Sequence, residues 1–380
     1  MGACGPGAWG LFFGKDFFAV KIGLVGLNQT GKTTLFNLLT GRDEGVSASG
    51  GKGSANVGTG FVPDERVDFL AGLFRPKKIT YARLDLTDVA GFSASGDGRG
   101  SGAATFLNNV RPCDALVHVL RAFESDSVVH DYGCVDPARD LEAVESEMLF
   151  ADLEMIEKRV GRIRAGKKVS KEHSEEIELL ERCFDWLEKG GLLADMVLSP
   201  DERVAIRSFA FLTEKPCLAV VNLDEGQWES GSWPNQEGLR ALCASLNIPL
   251  LELCVETELD ISRLPADDKL LFMEDLGIEQ PGVAVLAKAV YGLLGLISFL
   301  TVGDDEVRAW TVEDGTSARC AAGKVHSDME RGFIRAEVVK FDSIRELGSM
   351  ARVKEKGLFR LEGKDYVVVD GDIINFRFNV

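Results

Sequence analysis

A glycine-rich motif near the N-terminus constrains this 380-residue chain more than any other feature. The motif Gly26-x-x-x-x-Gly31-Lys32-Thr33 follows an apolar run over residues 20–25. It precedes apolar residues at helical spacing, which are Leu35, Phe36, Leu38 and Leu39. A strand, a tight glycine turn and a helix N-terminus are the local structure in which a phosphate-binding P-loop works. An ordinary glycine turn is the alternative, but every fixed position is present and both flanks fit.

The side chains of this motif predict how it holds a nucleotide. Gly26 and Gly31 let backbone N–H groups turn toward phosphate oxygens, and the helix dipole adds to the attraction. Lys32 is placed to reach the β- and γ-phosphates, and the Thr33 hydroxyl is placed to bind Mg²⁺. We therefore predict Lys32 as a catalytic residue. The rest of the predicted phosphate-binding set comprises Asn28, Gln29, Thr30, Gly31, Thr33 and Thr34.

A second strand end supplies the expected partner for Mg²⁺. Residues 83–88 form an apolar alternating run that ends in Asp88-Val-Ala-Gly91. In P-loop NTPases the aspartate at such a strand end holds Mg²⁺, and the glycine N–H meets the γ-phosphate. Asp-x-x-Gly alone is a weak signal, but here it lies between glycine-rich segments at residues 41–60 and 91–102. We predict Asp88 as a metal ligand, Gly91 as a γ-phosphate contact, and the two segments as switch loops I and II.

A later strand end predicts the contacts to the base. Residues 217–221 are followed by Asn222-Leu-Asp-Glu225, where GTPases carry Asn-Lys-x-Asp. Aspartate accepts both donors of the guanine edge, and a carboxylate one methylene longer changes that geometry. Leu223 also replaces the lysine that packs over the base, so the motif disfavours guanine and only weakly favours adenine. We predict base contacts from Asn222, Leu223 and Glu225, and from Cys254 after the next apolar strand.

Charge and cysteine usage narrow the functional classes. The formal net charge of -17 argues against broad nucleic-acid binding, because the global field repels phosphate. The eight cysteines lack a CxxC pair and a companion histidine spacing. This predicts reduced cytosolic thiols rather than a zinc site or a disulfide framework. Residues 283–300 are apolar but contain Lys288 and two glycines, so we expect a buried helix and a strand rather than a membrane span.

From about residue 140 to 208 the pattern becomes helical and highly charged, which predicts an antiparallel helical hairpin. Its middle is basic, with Lys158, Arg159, Arg162, Arg164, Lys167, Lys168 and Lys171. Two interpretations stay open, a solvated helix face and a contact to phosphate-rich RNA.

Short β segments predominate after residue 298. Two of them, residues 365–369 and 373–380, are joined by Asp370-Gly-Asp372 and predict a β-hairpin.

These motifs resemble the YchF subfamily of Obg-like ATPases, which are translation-factor-class P-loop NTPases. The resemblance runs from Lys21 to Val380 and also includes Cys113-Asp-Ala-Leu-Val-His118-Val and the ending Phe376-Arg-Phe-Asn-Val380. It implies an α/β P-loop G-domain with an inserted helical hairpin arm and a C-terminal TGS domain of the α+β, β-grasp type. We predict a disordered extension over 1–19 from its glycine-rich composition, a G-domain over 20–298 with the arm at about 140–208, and a TGS domain over 299–380.

The resemblance also implies a mechanism and a cellular setting. The implied substrate is ATP with Mg²⁺, and the implied partner is the ribosome. The reduced thiols predict a cytoplasmic protein, and the interrupted apolar run predicts no membrane contact. His130 matches a family histidine proposed to act near the γ-phosphate, which makes it a second predicted catalytic residue; an ordinary surface-loop histidine is the alternative.

Two differences limit the predicted turnover. Phe92 stands where Ras-like enzymes carry glutamine, and an apolar side chain does not orient water. Lys52-Gly-Ser-Ala-Asn56 lacks the threonine that relatives carry in switch I. We therefore predict a slow ATPase that acts as a nucleotide-dependent switch on the ribosome. A nucleotide-binding scaffold with little hydrolysis and a GTPase remain as alternatives.

Overall fold

The computed structural model describes residues 20–41, 56–89, 91, 101–125, 128–166 and 170–379, and it describes only the backbone of residues 101–105 and 266. Several sequence predictions lie outside these ranges. They are the N-terminal extension 1–19, most of both switch loops with Lys52 and Phe92, and the basic residues Lys167 and Lys168.

Within the described ranges the strands are β1 (Val20–Val25), β2 (Asn56–Val62), β3 (Lys78–Thr80), β4 (Ala82–Asp88), β5 (Ala115–Arg121), β6 (Cys217–Asn222), β7 (Leu250–Leu253), β8 (Leu296–Val302), β9 (Glu306–Glu313), β10 (Phe333–Lys340), β11 (Arg360–Glu362) and β12 (Asp372–Phe378). The α-helices are α1 (Lys32–Thr40), α2 (Glu65–Phe74), α3 (Ser101–Val110), α4 (Pro137–Arg164), α5 (Lys171–Glu188), α6 (Pro200–Ile206), α7 (Glu225–Ser230), α8 (Gln236–Ser245), α9 (Val255–Arg263), α10 (Ala266–Asp275), α11 (Gly282–Leu293), α12 (Ala318–Val325), α13 (Ser327–Arg331), α14 (Phe341–Leu347) and α15 (Met350–Glu355).

The first sheet has the strand order β2-β4-β1-β5-β6-β7. The pairs β1·β5, β5·β6 and β6·β7 are parallel, as expected for strands that alternate with helices. Its central strand β5 is buried along its whole length. Because the carboxyl ends of parallel strands lie at one edge, this topology brings together the segments that follow β1, β5 and β6. The predicted α/β fold of the P-loop domain is confirmed.

Contacts divide the chain into two compact units. The larger unit comprises Val20–Thr59 and Asp85–Gly282, and the smaller one comprises Gly60–Leu84 together with the chain from Val283 onward. The predicted boundary at 298/299 differs from this division at two places. Residues 283–298 belong with the C-terminal segment because α11 leads directly into β8, and residues 60–84 join it through β3 and α2.

The smaller unit is built on a mixed sheet with the order β11-β10-β12-β8-β9-β3. β3 pairs in parallel with β9, and the Phe69 ring of α2 meets the Phe341 ring edge-on, with centroids 5.6 Å apart. Arg66 donates to Asp370 at 2.6 Å within the same unit. Its core includes Phe299, Val338 and Ile374. The predicted C-terminal α+β domain is therefore present, with an additional edge strand from earlier in the chain.

The predicted β-hairpin over residues 365–369 and 373–380 is wrong. β12 pairs instead with β10 in antiparallel and with β8 in parallel orientation. The acidic turn residues that suggested a hairpin cap backbone groups: Asp372 accepts from the Val369 N–H at 2.9 Å, and Asp370 accepts from the Ser298 N–H at 2.8 Å.

Residues 283–300 form α11 and the start of β8, as expected. No helix in the described ranges is long and apolar enough to cross a bilayer.

The predicted helical hairpin is formed by α4 and α5. Asp136 and Ser170 cap the two helix N-termini by accepting from Arg139 N and His173 N. The helices share an apolar core that includes Ile156, Leu180 and Cys183. Two residues of the basic middle pair with α5: Arg159 donates two hydrogen bonds to Glu176, at 2.7 and 2.9 Å, and Arg164 pairs with Glu181.

A buried carboxylate fixes α4 to the body of the larger unit. Asp152 is fully buried and accepts from both the backbone N–H and the hydroxyl of Thr213, at 2.8 and 2.9 Å. Its other oxygen accepts from Arg111 at 3.2 Å. Burial raises the pKa of Asp152, and the bonds from Thr213 and Arg111 oppose that rise. The carboxylate therefore depends on these three donors.

We predict that Asp152→Ala lowers the free energy of unfolding by about 2–3 kcal/mol, because it leaves buried donors without an acceptor. Urea unfolding followed by circular dichroism measures the change. Asp185→Ala, at an exposed position on α5, is the matched control and should stay within about 0.5 kcal/mol of the wild type. Equal stability of the two variants would contradict the role assigned to Asp152.

Candidate functional site

The predicted P-loop joins the end of β1 to the start of α1. β1 pairs with β5 so that Val25 lies beside His118, and the chain then turns over residues 26–31 into α1, which begins at Lys32. Gly31 is the helix N-cap in the left-handed conformation, with φ of 96°. The first N–H groups of the helix are therefore available to an anion at this end.

Lys32 lies almost buried at the base of this loop. Its exposed fraction is 6%, and its ammonium group donates to the carbonyls of Gly26, at 3.3 Å, and of Leu27. Burial lowers its pKa from 10.5 to about 8, although the charges of Asp88 and Asp131 pull the pKa upward. A buried ammonium group with a lowered pKa gains strongly from a nearby anion.

The two predicted metal ligands lie side by side. The Thr33 hydroxyl donates to Asp88 Oδ2 at 3.0 Å, and the side-chain amide of Asn56 donates to the same oxygen at 3.3 Å. Asp88 is 5% exposed at the end of β4. A hydroxyl and a carboxylate are the oxygen donors that Mg²⁺ prefers, so this pair fits a magnesium ion.

Gly91 approaches the P-loop closely. A β-carbon at this position would lie 2.5 Å from Asn28 Oδ1 and 2.7 Å from the Asn28 backbone nitrogen. Only glycine fits such an approach without displacing the loop. This contact places the end of the Asp-x-x-Gly segment against the predicted phosphate site.

Asn222 joins the P-loop to the segment that follows β7. Its amide nitrogen donates to the Thr30 carbonyl at 3.1 Å, and its amide oxygen accepts from the Val255 N–H at 3.2 Å. A β-carbon on Gly31 would lie 2.2 Å from the Asn222 amide nitrogen, so glycine is required at position 31. The second hydrogen of the Asn222 amide can donate to a ring nitrogen of a base.

The predicted base-contacting residues surround the far end of the site. Leu223 is 3% exposed and packs into a core cluster with Leu120 and Ala122. Glu225 is exposed as the first residue of α7. Cys254 is buried, its sulfur lies 2.9 Å from the Thr257 hydroxyl, and burial raises the pKa of its thiol.

A cleft of about 1250 Å³ connects these groups, which is ample for a nucleoside triphosphate. Thr30 is buried and does not line the cleft, and its hydroxyl donates to the Leu27 carbonyl at 3.3 Å. The other predicted phosphate, metal and base contacts all line the cleft: Asn28, Gln29, Gly31, Lys32, Thr33, Thr34, Asp88, Gly91, Asn222, Leu223, Glu225 and Cys254.

His130 lies beside the P-loop but lines a separate recess, with Asn28, Gln29 and Asp131. Its Nδ1 accepts from the Tyr132 N–H at 3.2 Å, so its Nε2 carries the proton and donates to Asp140 Oδ2 at 2.8 Å. Both ring nitrogens are therefore engaged. The structure places His130 near the phosphate loop without directing a free nitrogen into the cleft.

The cleft also contains residues that the sequence did not single out. Asn56 is the last residue of the switch I stretch that lacks the threonine, and its contact to Asp88 could have been suspected from its place at the start of a strand. Phe123 lines the cleft two residues after β5 ends. Arg263, at the last residue of α9, had no sequence signal that we recognise.

Comparison with known proteins places these features in a family. A model described as "50S ribosome-binding GTPase" matches residues 21–150. The YchF-GTPase_C model, described as a protein of unknown function, matches residues 296–379. The two matches fall on the P-loop half of the chain and on its C-terminal segment.

Whole-chain relatives extend this result. "Ribosome-binding ATPase YchF" of Haemophilus ducreyi is 39% identical over 365 residues, which cover 95% of this chain and 99% of the relative. The protein of the same name from Bacillus subtilis is 39% identical over 366 residues, covering 95% of this chain and 100% of the relative. The solved structure of the Schizosaccharomyces pombe YchF GTPase superposes with a TM-score of 0.81 at 26% identity, covering 98% and 100% of the two chains. The chain is a member of the YchF family.

Proposed function

We propose that this protein is an ATP-binding P-loop NTPase that hydrolyses ATP slowly and acts as a nucleotide-dependent switch on the ribosome. The observation that carries the proposal is the contact between Thr33 and Asp88, 3.0 Å apart beside the buried ammonium group of Lys32. This arrangement supplies phosphate and Mg²⁺ contacts in one cleft. The bacterial relatives are named ribosome-binding ATPases, and this supports ribosome association and a cytoplasmic location.

The residues of the cleft have separate tasks in this proposal. Lys32 and the backbone N–H groups after Gly31 neutralise the phosphates, while Thr33 and Asp88 would hold Mg²⁺, which would offset the negative charge of the phosphates. Gly91 brings its N–H close to the phosphate loop. Asn222 keeps the loop in position and, with Glu225 and Leu223, contacts the base. The preference for ATP rests on Glu225 and Leu223, since both depart from the guanine-specific motif.

Slow turnover is supported by the position of His130. A general base needs a free nitrogen or oxygen near the attacking water, and both nitrogens of His130 are already hydrogen-bonded. Phe92 replaces the water-orienting glutamine in the sequence. The hydrogen-bonded nitrogens of His130 also favour the second candidate function, a nucleotide-binding scaffold with little hydrolysis. The third candidate function is that of a GTPase, because the superposed Schizosaccharomyces pombe protein is named a GTPase.

The first prediction concerns phosphate binding. Lys32→Ala should weaken ATP·Mg²⁺ binding at least about a hundredfold, or about 2.7 kcal/mol, because it removes the buried cation. Isothermal titration calorimetry measures the affinity. Lys189→Ala, at an exposed position at the end of α5, is the matched control and should bind like the wild type. Wild-type affinity in Lys32→Ala would contradict the assignment of the site.

The second prediction concerns pH. Lys32 has a pKa of about 8, and bound phosphate should raise it, so binding takes up a proton above that pH. Affinity should be constant below about pH 7 and should fall as the pH rises through 8, by at most about tenfold per unit. Calorimetry in buffers of different ionisation enthalpy detects the proton uptake. The Lys32→Ala variant should lose this pH dependence. A wild-type ATP affinity that does not change up to about pH 9 would contradict the role of Lys32 in proton uptake.

The third prediction separates an enzyme from a scaffold. In single-turnover experiments with protein in excess over ATP, we expect ADP to form at a rate on the order of 10⁻³ s⁻¹ or lower without ribosomes, comparable to unassisted Ras-like enzymes. Added ribosomes should increase this rate. ATP that stays bound and intact over many hours, with and without ribosomes, would favour the scaffold and reject the ATPase.

The fourth prediction concerns the helical arm, for which we propose a contact to ribosomal RNA. Arg159 and Arg164 already pair with glutamates of α5. We therefore assign the RNA contact to the exposed Lys158 and Arg162, together with Lys167 and Lys168 from the adjoining segment. Among the described residues Lys158 pairs with exposed Glu154, at 2.6 Å, and such exposed pairs contribute little energy and can exchange for phosphate.

The double variant Lys158→Glu and Arg162→Glu should reduce co-sedimentation with ribosomes by about tenfold and weaken its salt dependence. Lys189→Glu reverses one positive charge at the other end of α5 and should bind ribosomes like the wild type. Both variants should keep wild-type ATP affinity. Unchanged ribosome binding by the double variant would show that the arm is a solvated surface.

A further inference from the structure

A cluster of three potential metal ligands lies in the core of the larger unit, apart from the nucleotide contacts. His118 lies on β5, Glu145 on α4 and Cys217 at the start of β6. One ligand atom from each side chain lies within 4.8 Å of the other two. His118 Nδ1 and Glu145 Oε1 are 3.9 Å apart, which is too long for a hydrogen bond.

Two side chains of this cluster have buried polar atoms without a hydrogen-bond partner among the described residues, while the Cys217 sulfur accepts from the backbone N–H of His118. His118 is 0% exposed and Glu145 is 9% exposed. Neither ring nitrogen of His118 is hydrogen-bonded, and neither is Glu145 Oε1. Buried polar atoms are nearly always satisfied by protein, water or a bound ion, because leaving them unpaired costs free energy. Two such residues that face each other therefore indicate a bound species.

The donor set suits one class of ion. An imidazole nitrogen, a carboxylate oxygen and a thiolate sulfur are the ligands of Zn²⁺ and similar divalent transition ions, while Mg²⁺ and Ca²⁺ take oxygen. A divalent cation with one carboxylate, one thiolate and one neutral imidazole gives a site of zero net charge. Charge neutrality favours such a site at this depth in the protein.

We propose that His118, Glu145 and Cys217 bind a divalent transition-metal ion of the zinc class. Metal–ligand bonds of about 2.0–2.3 Å in a tetrahedron place ligand atoms roughly 3.3–3.8 Å apart, so a small contraction of the observed cluster is enough. Binding forms the sulfur–metal bond as the Cys217 thiol loses its proton to solvent. Water fills the fourth position. The site ties α4, which carries the helical arm, to two central strands.

A nearby thiol, that of Cys243, is not part of the proposed metal site. Burial raises the pKa of the Cys243 thiol on α8 to about 11, and the nearby charge of Glu145 adds to the rise. Its sulfur is not among the ligand atoms that lie within 4.8 Å of one another. We therefore assign the metal to three protein ligands. This arrangement was invisible to sequence spacing, since the ligands are 27 and 72 residues apart along the chain, from His118 to Glu145 and from Glu145 to Cys217.

The test measures metal in the full-length, untagged protein with Mg²⁺ in excess, so that the oxygen site at Thr33 and Asp88 is occupied by Mg²⁺. Protein purified from zinc-supplemented cells should contain about one equivalent of zinc by elemental mass spectrometry. Metal-free protein titrated with Co²⁺ should develop the near-ultraviolet thiolate-to-cobalt absorption band. Zn²⁺ should then remove that band by competition.

Two variants and one control make the test decisive. Cys217→Ala should abolish the thiolate band, and Glu145→Gln, which keeps the side-chain shape, should lower Co²⁺ affinity at least about tenfold. Cys183→Ala removes a buried thiol of the arm core and should keep the band and the zinc. Circular dichroism confirms that each variant is folded.

Two results would overturn the proposal. One is a wild-type protein that shows no thiolate band with Co²⁺, in which case a bridging water satisfies His118 and Glu145. The other is a Cys217→Ala variant that retains wild-type zinc content, in which case the zinc is bound elsewhere.

Discussion

The side-chain amide of Asn222 is the contact on which the geometry of the nucleotide cleft depends. It holds the Thr30 carbonyl of the P-loop and the Val255 N–H of the opposite segment at once, and both bonds are buried. Gly31 is required because any β-carbon there would displace this amide. The proposed phosphate end and the proposed base end of the site are therefore joined through one residue at the end of β6. In the proposed function, a base that hydrogen-bonds Asn222 would also support the loop that holds the phosphates.

Much of this arrangement follows from the sequence alone. Strand ends of a parallel sheet meet at one edge, so the segments after β1 and β6 had to lie together once their apolar runs were recognised. Asp88 and Thr33 meet because Asp88 ends β4, and β4 is the neighbour of β1, which leads into the P-loop. The helical hairpin followed from apolar residues at helical spacing. These are local patterns with strong physical constraints, and their relative positions require few further assumptions.

Other features depend on contacts between distant residues. The acidic turn at Asp370–Asp372 resembles a hairpin turn, but its carboxylates cap Ser298 and Val369, and β12 pairs with β8 and β10 instead. The basic middle of the arm looks free in the sequence, whereas Arg159 meets Glu176 on the neighbouring helix. His130 is adjacent to the P-loop as expected, yet Asp140 and Tyr132 occupy its nitrogens. Side-chain pairing across elements has no periodic signal, so only the folded chain reveals it.

Together these features favour a site that binds nucleotide and hydrolyses it slowly. The central claim is that the site prefers ATP over GTP. Equilibrium competition is the most direct test: a fluorescent adenine nucleotide bound to the Mg²⁺-loaded protein is displaced by unlabelled ATP or GTP. The account predicts that ATP displaces it at a concentration at least about tenfold lower than GTP, or about 1.4 kcal/mol in binding free energy. Displacement by GTP at an equal or lower concentration would contradict the account.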